Sequence, residues 1–178
     1  MNTSKIVEEI VADYSHLLES LNDTNYNHLT TEDLITIHDA AIKPGQPKGI
    51  QDSRGLAGVV KHAKIVDTNC RSVWAIAATY MYDIAYGQVF KDGNKRTGLL
   101  AGLSFLAKNG VDASNKGADD ALYDLMMGYM GHDPAYTVDR GERLLKSKYP
   151  LVKAGVQESK AGVNLMADYS ALLDRLGA

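Results

Sequence analysis

The chain has 178 residues, 45% of them hydrophobic, and 19 basic and 22 acidic side chains give a net charge of −3. This composition excludes a wholly disordered chain, because it supplies the apolar surface that a folded core needs. The charge balance lacks the strong positive bias of a general nucleic-acid-binding protein. The length predicts a single domain.

The cysteine content and the N-terminal sequence bear on location. One cysteine, Cys70, excludes an internal disulfide framework and a thiolate-rich zinc site. The first residues lack the continuous apolar stretch of a secretory signal, and no later stretch is long enough to cross a bilayer. We therefore expect a cytoplasmic protein that makes no contact with membranes.

Apolar residues recur at helical spacing along most of the chain, and no run alternates with the period of two that is typical of strands. The spacing of Thr30 and Asp33 predicts a capping box, and Asn109-Gly110 predicts a left-handed helix stop. We expect an all-α fold packed round the apolar segment 72–86. The predicted helices cover about 4–21, 30–42, 52–66, 68–86, 94–108, 119–131, 137–147 and 162–176.

The two ends of the chain share a sequence. Residues 12–21 read Ala-Asp-Tyr-Ser-His-Leu-Leu-Glu-Ser-Leu, and residues 167–176 read Ala-Asp-Tyr-Ser-Ala-Leu-Leu-Asp-Arg-Leu. Two amphipathic helices can acquire such a likeness from their shared period alone. The alternative is a matched pair of helices that flank the core.

The stretch between the fourth and fifth predicted helices carries most of the chemistry. Residues 88–98 read Gln-Val-Phe-Lys-Asp-Gly-Asn-Lys-Arg-Thr-Gly. Gly93 allows close approach of an anion to the main chain at a helix N-terminus, and Lys95 and Arg96 add positive charge. Asp92 beside them is a ligand that Mg²⁺ accepts. These parts describe a site for a nucleotide polyphosphate, although the same residue types also form ordinary turns and solvated pairs.

The motif Phe-x-Asp-Gly-Asn-Lys-Arg-Thr resembles the signature of the Fic/Doc family, and it is most similar to the Doc (death-on-curing) toxin branch. The likeness covers roughly residues 29–147. It implies a Fic/Doc-like helical core over 29–147, an N-terminal helical extension over 1–28 and a C-terminal one over 148–178. Further stretches that resemble the family are 29–38, 49–56 and 105–111.

The resemblance implies an activity and its site. Fic proteins transfer AMP from ATP to a protein hydroxyl, whereas the Doc branch phosphorylates a threonine of elongation factor Tu and is neutralised by a separate antitoxin. In the Doc branch, a lysine at the position of Lys95 is associated with phosphoryl transfer. The family pattern implies that Asp92 binds Mg²⁺, Asn94 shapes the phosphate loop, Lys95 and Arg96 stabilise the moving phosphoryl group, and Phe90 anchors the loop.

Two positions depart from the family pattern. Gln88 occupies the place of the histidine base, and an amide does not accept a proton near neutral pH. Three explanations of Gln88 are open. It is an introduced change, or it marks a natural pseudoenzyme, or His38 or His62 acts as the base in place of the missing histidine. Leu99 stands where many Fic proteins carry a second arginine that pairs with an inhibitory glutamate, so that regulation is not expected.

The sequence thus predicts a Doc-like phosphotransferase that uses ATP and Mg²⁺ and is impaired by Gln88. AMP transfer and a catalytically inactive module that binds a nucleotide or a partner helix are the alternatives. Three roles are open for the helices outside the likeness. They complete the core, they form a dimer contact, or they fill the groove in which the helix of a separate antitoxin would bind.

Overall fold

The computed structural model of the chain describes residues 26–70, 72–151 and 164–177. The helix predicted over 4–21 and the start of the one predicted at 162 lie outside these ranges. The described residues form eight helices and no strand, which confirms the all-α prediction. In chain order they are α1 Thr31–Ala41, α2 Ser53–Cys70, α3 Val73–Gly87, α4 Asn94–Lys108, α5 Asp119–Met130, α6 Val138–Lys148, α7 Leu165–Asp168 and α8 Ser170–Leu176.

Helices α3 and α4 form the centre of the molecule and approach each other closely. Ten of the fifteen residues of α3 and eleven of the fifteen residues of α4 are buried. Glycines at the contact permit this approach, because a Cβ atom at Gly98 would lie 2.9 Å from the carbonyl oxygen of Met81. A Cβ atom at Gly102 would lie 2.8 Å from the carbonyl oxygen of Ala77. The tight packing fixes the loop between the two helices at one end of the core.

Several predicted helix ends are confirmed by backbone geometry. The Thr30 side chain accepts a hydrogen bond from the main chain of Asp33, and the Asp33 carboxylate accepts one from the main chain of Thr30, which completes the capping box. Helix α4 begins and ends at the predicted residues, and Gly110 after it has a φ of 81°. This left-handed residue ends the helix as expected.

Three predicted boundaries are wrong, and the first is the start of α3, which lies at Val73 rather than near residue 68. The second described helix continues to Cys70 rather than ending near residue 66, because tertiary contacts hold its last turns. The buried Asp67 carboxylate accepts hydrogen bonds from the His28 ring and the main-chain N–H of Tyr26. The predicted last helix is divided into α7 and α8 at Tyr169, whose hydroxyl donates a hydrogen bond of 3.0 Å to the carbonyl oxygen of Ala113.

The C-terminal helices pack against the core. Tyr169, Leu172, Leu173 and Leu176 are buried, and α8 contacts α4 and α5. The chain therefore brings its C-terminal residues to the side of the core that carries the start of α4. In the part of the chain that the structure describes, no helix has the length and apolar character needed to cross a membrane.

Candidate phosphate-binding site

The loop that joins α3 to α4 is held in shape by Asn94. The side-chain oxygen of Asn94 accepts a hydrogen bond of 2.9 Å from the main-chain N–H of Phe90. Its amide nitrogen donates one of 2.7 Å to the carbonyl oxygen of the same residue. The first residue of α4 thus fixes the loop that leads into it.

Phe90 is buried beneath the loop and packs on His38 of α1. The two rings are nearly parallel, with centroids 4.1 Å apart. His38 Nε2 donates a hydrogen bond of 3.2 Å to the carbonyl oxygen of Asp92, and His38 Nδ1 lies 3.2 Å from a carboxylate oxygen of Asp39. Both ring nitrogens are engaged, so His38 positions the loop from below.

Gln88 ends α3 in the left-handed conformation, with φ 48° and ψ 50°. Its main-chain N–H still donates to the carbonyl oxygen of Ile84, at 3.1 Å. This backbone turn directs the chain out of the core and into the phosphate loop. Residue 88 lines the cavity described below.

Arg96 is the feature of the site that most directly indicates an anion. Its side chain is only 2% exposed, and its Nη2 donates a hydrogen bond to the side-chain oxygen of Gln46. Its Nε and Nη1 are buried and have no hydrogen-bond partner among the described residues. Buried polar groups are almost always paired, and an unpaired charged donor carries a large desolvation cost. The described residues therefore supply no acceptor for two nitrogens of this buried guanidinium.

A small cavity lies beside Arg96. Its volume is about 260 Å³, and it opens to solvent between the loop, the start of α4 and the end of α8. Ligand pockets for whole drug-sized molecules usually have volumes of roughly 300–1,000 Å³. The residues that line it are Gln46, Gln88, Lys91, Asp92, Gly93, Asn94, Lys95, Arg96, Met130, Leu176 and Gly177.

The start of α4 adds partial and full positive charge to this cavity. Gly93 is the N-cap, with a φ of 72°, and no side chain within the described residues caps the helix there. The first-turn N–H groups and the helix dipole therefore favour an anion at this end. Lys95, half-buried on the same wall, places its Nζ 3.6 Å from the sulfur of Met127, a weak acceptor that leaves its charge available.

Asp92 is the one predicted metal ligand of the site. One of its carboxylate oxygens accepts a hydrogen bond of 2.5 Å from the main-chain N–H of Gly93. Among the described residues no three histidine, cysteine or acidic side chains cluster as a preformed metal site. Mg²⁺ commonly uses one or two carboxylates together with substrate phosphates and water. The residues present therefore fit Mg²⁺ that arrives with a nucleotide, and they do not form a site for the ion alone.

The second histidine proposed as a substitute base, His62, lies at a different cavity. Its Nδ1 is 2.7 Å from a carboxylate oxygen of Asp83. Burial raises the pKa of Asp83, and the neighbouring His62 partly opposes this rise. Gly87 and Val89 line that cavity, whereas Gln88 between them lines the cavity beside Arg96. Neither His38 nor His62 lines the phosphate cavity.

Outside the motif, sequence reasoning missed four contributors to the site, and Met130 at the end of α5 is one of them. Gln46, in the loop after α1, carries no motif, yet it is the hydrogen-bond partner of Arg96. Leu176 and Gly177 line the cavity from the far end of the chain. A Cβ atom at Gly177 would lie 3.1 Å from Nη1 of Arg96, so the main chain after α8 lies against the guanidinium. Contacts at such sequence separations leave no local signal.

Two comparisons show which known proteins the chain is similar to. Residues 28–106 match the model of a family described as the Fic/DOC family. The chain is also 34% identical over 105 residues to a protein of Escherichia phage P1 named protein kinase doc. The match covers 57% of this chain and 80% of the relative. The matched family segment contains α1 to most of α4 and the whole phosphate loop.

Proposed function

Because the chain belongs to the Fic/DOC family, we propose that it is a Doc-like toxin that transfers phosphate from ATP to a hydroxyl group of a protein. The proposed target is a translation factor such as elongation factor Tu. The observation that carries the proposal is the buried guanidinium of Arg96, which has two nitrogens without a partner among the described residues and lines a small open cavity.

Each residue of the site has its own role in binding. Arg96 and the first-turn N–H groups of α4 bind phosphate oxygens, and Lys95 adds a second cation. Asp92 is the proposed ligand for Mg²⁺, which when bound neutralises phosphate charge. Phosphoryl transfer depends mainly on such positioning and electrostatics, so these residues supply most of the required chemistry.

The proposed transfer lacks one component in this chain. The oxygen of the target hydroxyl bonds to the γ-phosphorus, the bond to the β–γ bridging oxygen breaks, and ADP leaves. The hydroxyl proton then needs an acceptor, which a histidine at position 88 would provide. The amide of Gln88 does not bind a proton near neutral pH. General-base catalysis contributes about 10²–10⁴-fold in rate, so transfer by this chain is slow.

Gln88 also favours a second candidate function. A chain that keeps the phosphate cavity but lacks the base is suited to bind a nucleotide or a partner without transferring a group. The cavity, Arg96 and Lys95 are common to both functions, so nucleotide binding alone does not separate them. The partner expected for a Doc-like toxin is a small antitoxin, and a non-catalytic module has no need of one.

Labelled ATP distinguishes the candidates. The chain and its Gln88→His variant are incubated with purified translation factor and Mg²⁺, with label in the γ-phosphate or in the α-phosphate. Transfer of the γ label by Gln88→His, at 100-fold or more the rate of the unchanged chain, is the expected result. Transfer of the α label identifies AMP transfer instead. Absence of both labels from the target with either chain contradicts the proposed transfer and favours the binding module.

A further inference from the structure

The groove occupied by α8 recognises a defined set of side chains. Four residues of the C-terminal segment are buried in it, and they follow the spacing Tyr-x-x-Leu-Leu-x-x-Leu. The groove extends from the carbonyl oxygen of Ala113, where Tyr169 binds, to the cavity of Arg96, which Leu176 lines. The four buried residues are Tyr169, Leu172, Leu173 and Leu176.

The same set occurs once more in the chain. Residues 12–21 and 167–176 are identical at seven of ten positions, and all four groove-binding side chains are among them. A helical period alone requires apolar residues at these places, but it does not require a tyrosine at the first and leucine at each of the others. Their counterparts are Tyr14, Leu17, Leu18 and Leu21.

The charged rim of the groove is only partly matched by the N-terminal segment. Lys43 pairs with Asp174 at 2.8 Å, and Glu19, at the corresponding position, keeps the acidic charge. Arg175 pairs with Asp120 at 2.8 Å, and Ser20, at its position, lacks the cation. The sequence of residues 12–21 therefore keeps the four apolar side chains and lacks the cation of one ion pair.

We propose that the groove occupied by α8 is a docking site for residues 12–21 of a second copy of this chain. The two segments then compete for one groove, and α8 has the advantage of being tethered to it. The proposal concerns the groove and does not rest on the proposed transferase activity.

The length of the chain favours a second copy over the same one. Docked like α8, Leu21 would lie where Leu176 lies, beside Arg96. Tyr26 is held at the other end of α4, its ring centroid 6.2 Å from that of Phe105, and the next residue bonds Asn109. These points are separated by about 14–20 Å along the helix at 1.5 Å per residue. Residues 21 to 26 reach about 17 Å when fully extended, so a connection within one chain would have to be nearly straight and fully extended.

A peptide of residues 8–25 tests the proposal by fluorescence anisotropy. It is titrated with the full chain and with its Leu172→Asp/Leu176→Asp variant, which weakens the hold of α8. We expect the peptide to bind the variant at least tenfold more tightly than the unchanged chain. A Leu17→Asp/Leu21→Asp peptide is the matched control and should not bind.

Restoring the missing ion pair tests whether the peptide binds in the same position as α8. A Ser20→Arg peptide recreates the pair with Asp120 and should bind about two- to fivefold more tightly, as an exposed ion pair allows. This gain should vanish when the chain carries Asp120→Asn. Equal binding of all peptides, or none by a variant that keeps its helical circular dichroism, would overturn the proposal.

A second measurement leaves α8 intact, in case the double variant unfolds. Chains with Ser20→Cys are mixed with chains carrying Asp120→Cys, both in a Cys70→Ser background, and treated with a short bismaleimide. Docking predicts a cross-linked pair of chains at micromolar concentration, and far less of it when Asp139→Cys replaces Asp120→Cys. Equal yields from the two pairs would contradict docking. Calorimetric titration with ATP in the same preparations separates this outcome from a failure of nucleotide binding.

Discussion

The side-chain amide of Asn94 binds both polar groups of the main chain of Phe90, through hydrogen bonds of 2.9 and 2.7 Å. One residue thereby joins the start of α4 to the loop after α3. Because both bonds are buried, replacement of the amide leaves a main-chain donor and acceptor without partners.

The variant Asn94→Ala should lower the free energy of unfolding by about 1–3 kcal/mol, the usual cost of buried polar groups left unpaired. Urea denaturation monitored by circular dichroism measures the change. The control is Asn69→Ala on the exposed side of α2, which should change stability by less than about 0.5 kcal/mol. Equal effects of the two variants would show that Asn94 does not hold the loop.

The position of Gln88 predicts that a histidine is accepted there. Its φ of 48° is uncommon for residues other than glycine, but asparagine, aspartate and histidine are enriched in this conformation. We expect Gln88→His to change the free energy of unfolding by less than about 0.5 kcal/mol. Thermal unfolding of both chains checks this, and a loss above about 1 kcal/mol would contradict the backbone assignment.

The close contact of α3 and α4 predicts a strong effect at Gly102. A Cβ atom there would lie 2.5 Å from Cε of Met81 and 2.8 Å from the carbonyl oxygen of Ala77. The variant Gly102→Ala should therefore lower stability by about 1–3 kcal/mol through overpacking. The matched control is Gly58→Ala in α2, where a Cβ atom would have no neighbour within 4 Å. It should gain up to about 1 kcal/mol from helix propensity.

Gly102→Ala and Gly58→Ala differ in sign only if the helices pack as described. The same urea titration reads both variants, at one pH and temperature. A stabilised Gly102→Ala chain would mean that α3 and α4 lie further apart than the structure shows.

His28 predicts a loss of stability in mild acid. Burial lowers the pKa of His28 below its ordinary value of 6.5, although the neighbouring Asp67 partly opposes the shift. As the pH falls, His28 therefore binds a proton in the unfolded chain at a higher pH than in the folded chain. The free energy of unfolding falls as the pH drops below about 6.5. The loss stops once the pH is below the folded pKa.

Urea midpoints of the unchanged chain at pH 7.5 and 5.5 measure this loss. In the His28→Gln variant the difference between the two midpoints should be smaller, since the titrating group is gone. An identical pH dependence in both chains would assign the acid sensitivity to other groups.

The elements predicted from sequence are those fixed by local chemistry. Helix α4 was located from its apolar spacing, from Gly93 before it and from Asn109-Gly110 after it, all of which act within a few residues. The end of α2 was missed because Asp67 is stabilised by His28, some forty residues away. The break at Tyr169 depends on Ala113, which is equally remote.

The same distinction applies to the candidate site. The phosphate loop and its cations are contiguous in sequence, so a short motif predicts them together. Gln46 and Gly177 reach Arg96 only through the packing of α1 and α8, and neither residue has chemistry that marks it in advance. The burial of Arg96, which leaves two of its nitrogens without a partner among the described residues, also depends on that packing.

Calorimetric titration of the full chain with ATP and Mg²⁺ tests the central claim most directly. We expect measurable binding, a 10- to 100-fold loss of affinity in Arg96→Ala, and no change in Arg143→Ala on the exposed face of α6. The expected loss corresponds to about 1.5–3 kcal/mol for hydrogen bonds to a charged group. Thermal unfolding shows whether each variant is folded. An unchanged affinity in a folded Arg96→Ala chain, or no heat of binding with the unchanged chain, would contradict a phosphate site at Arg96.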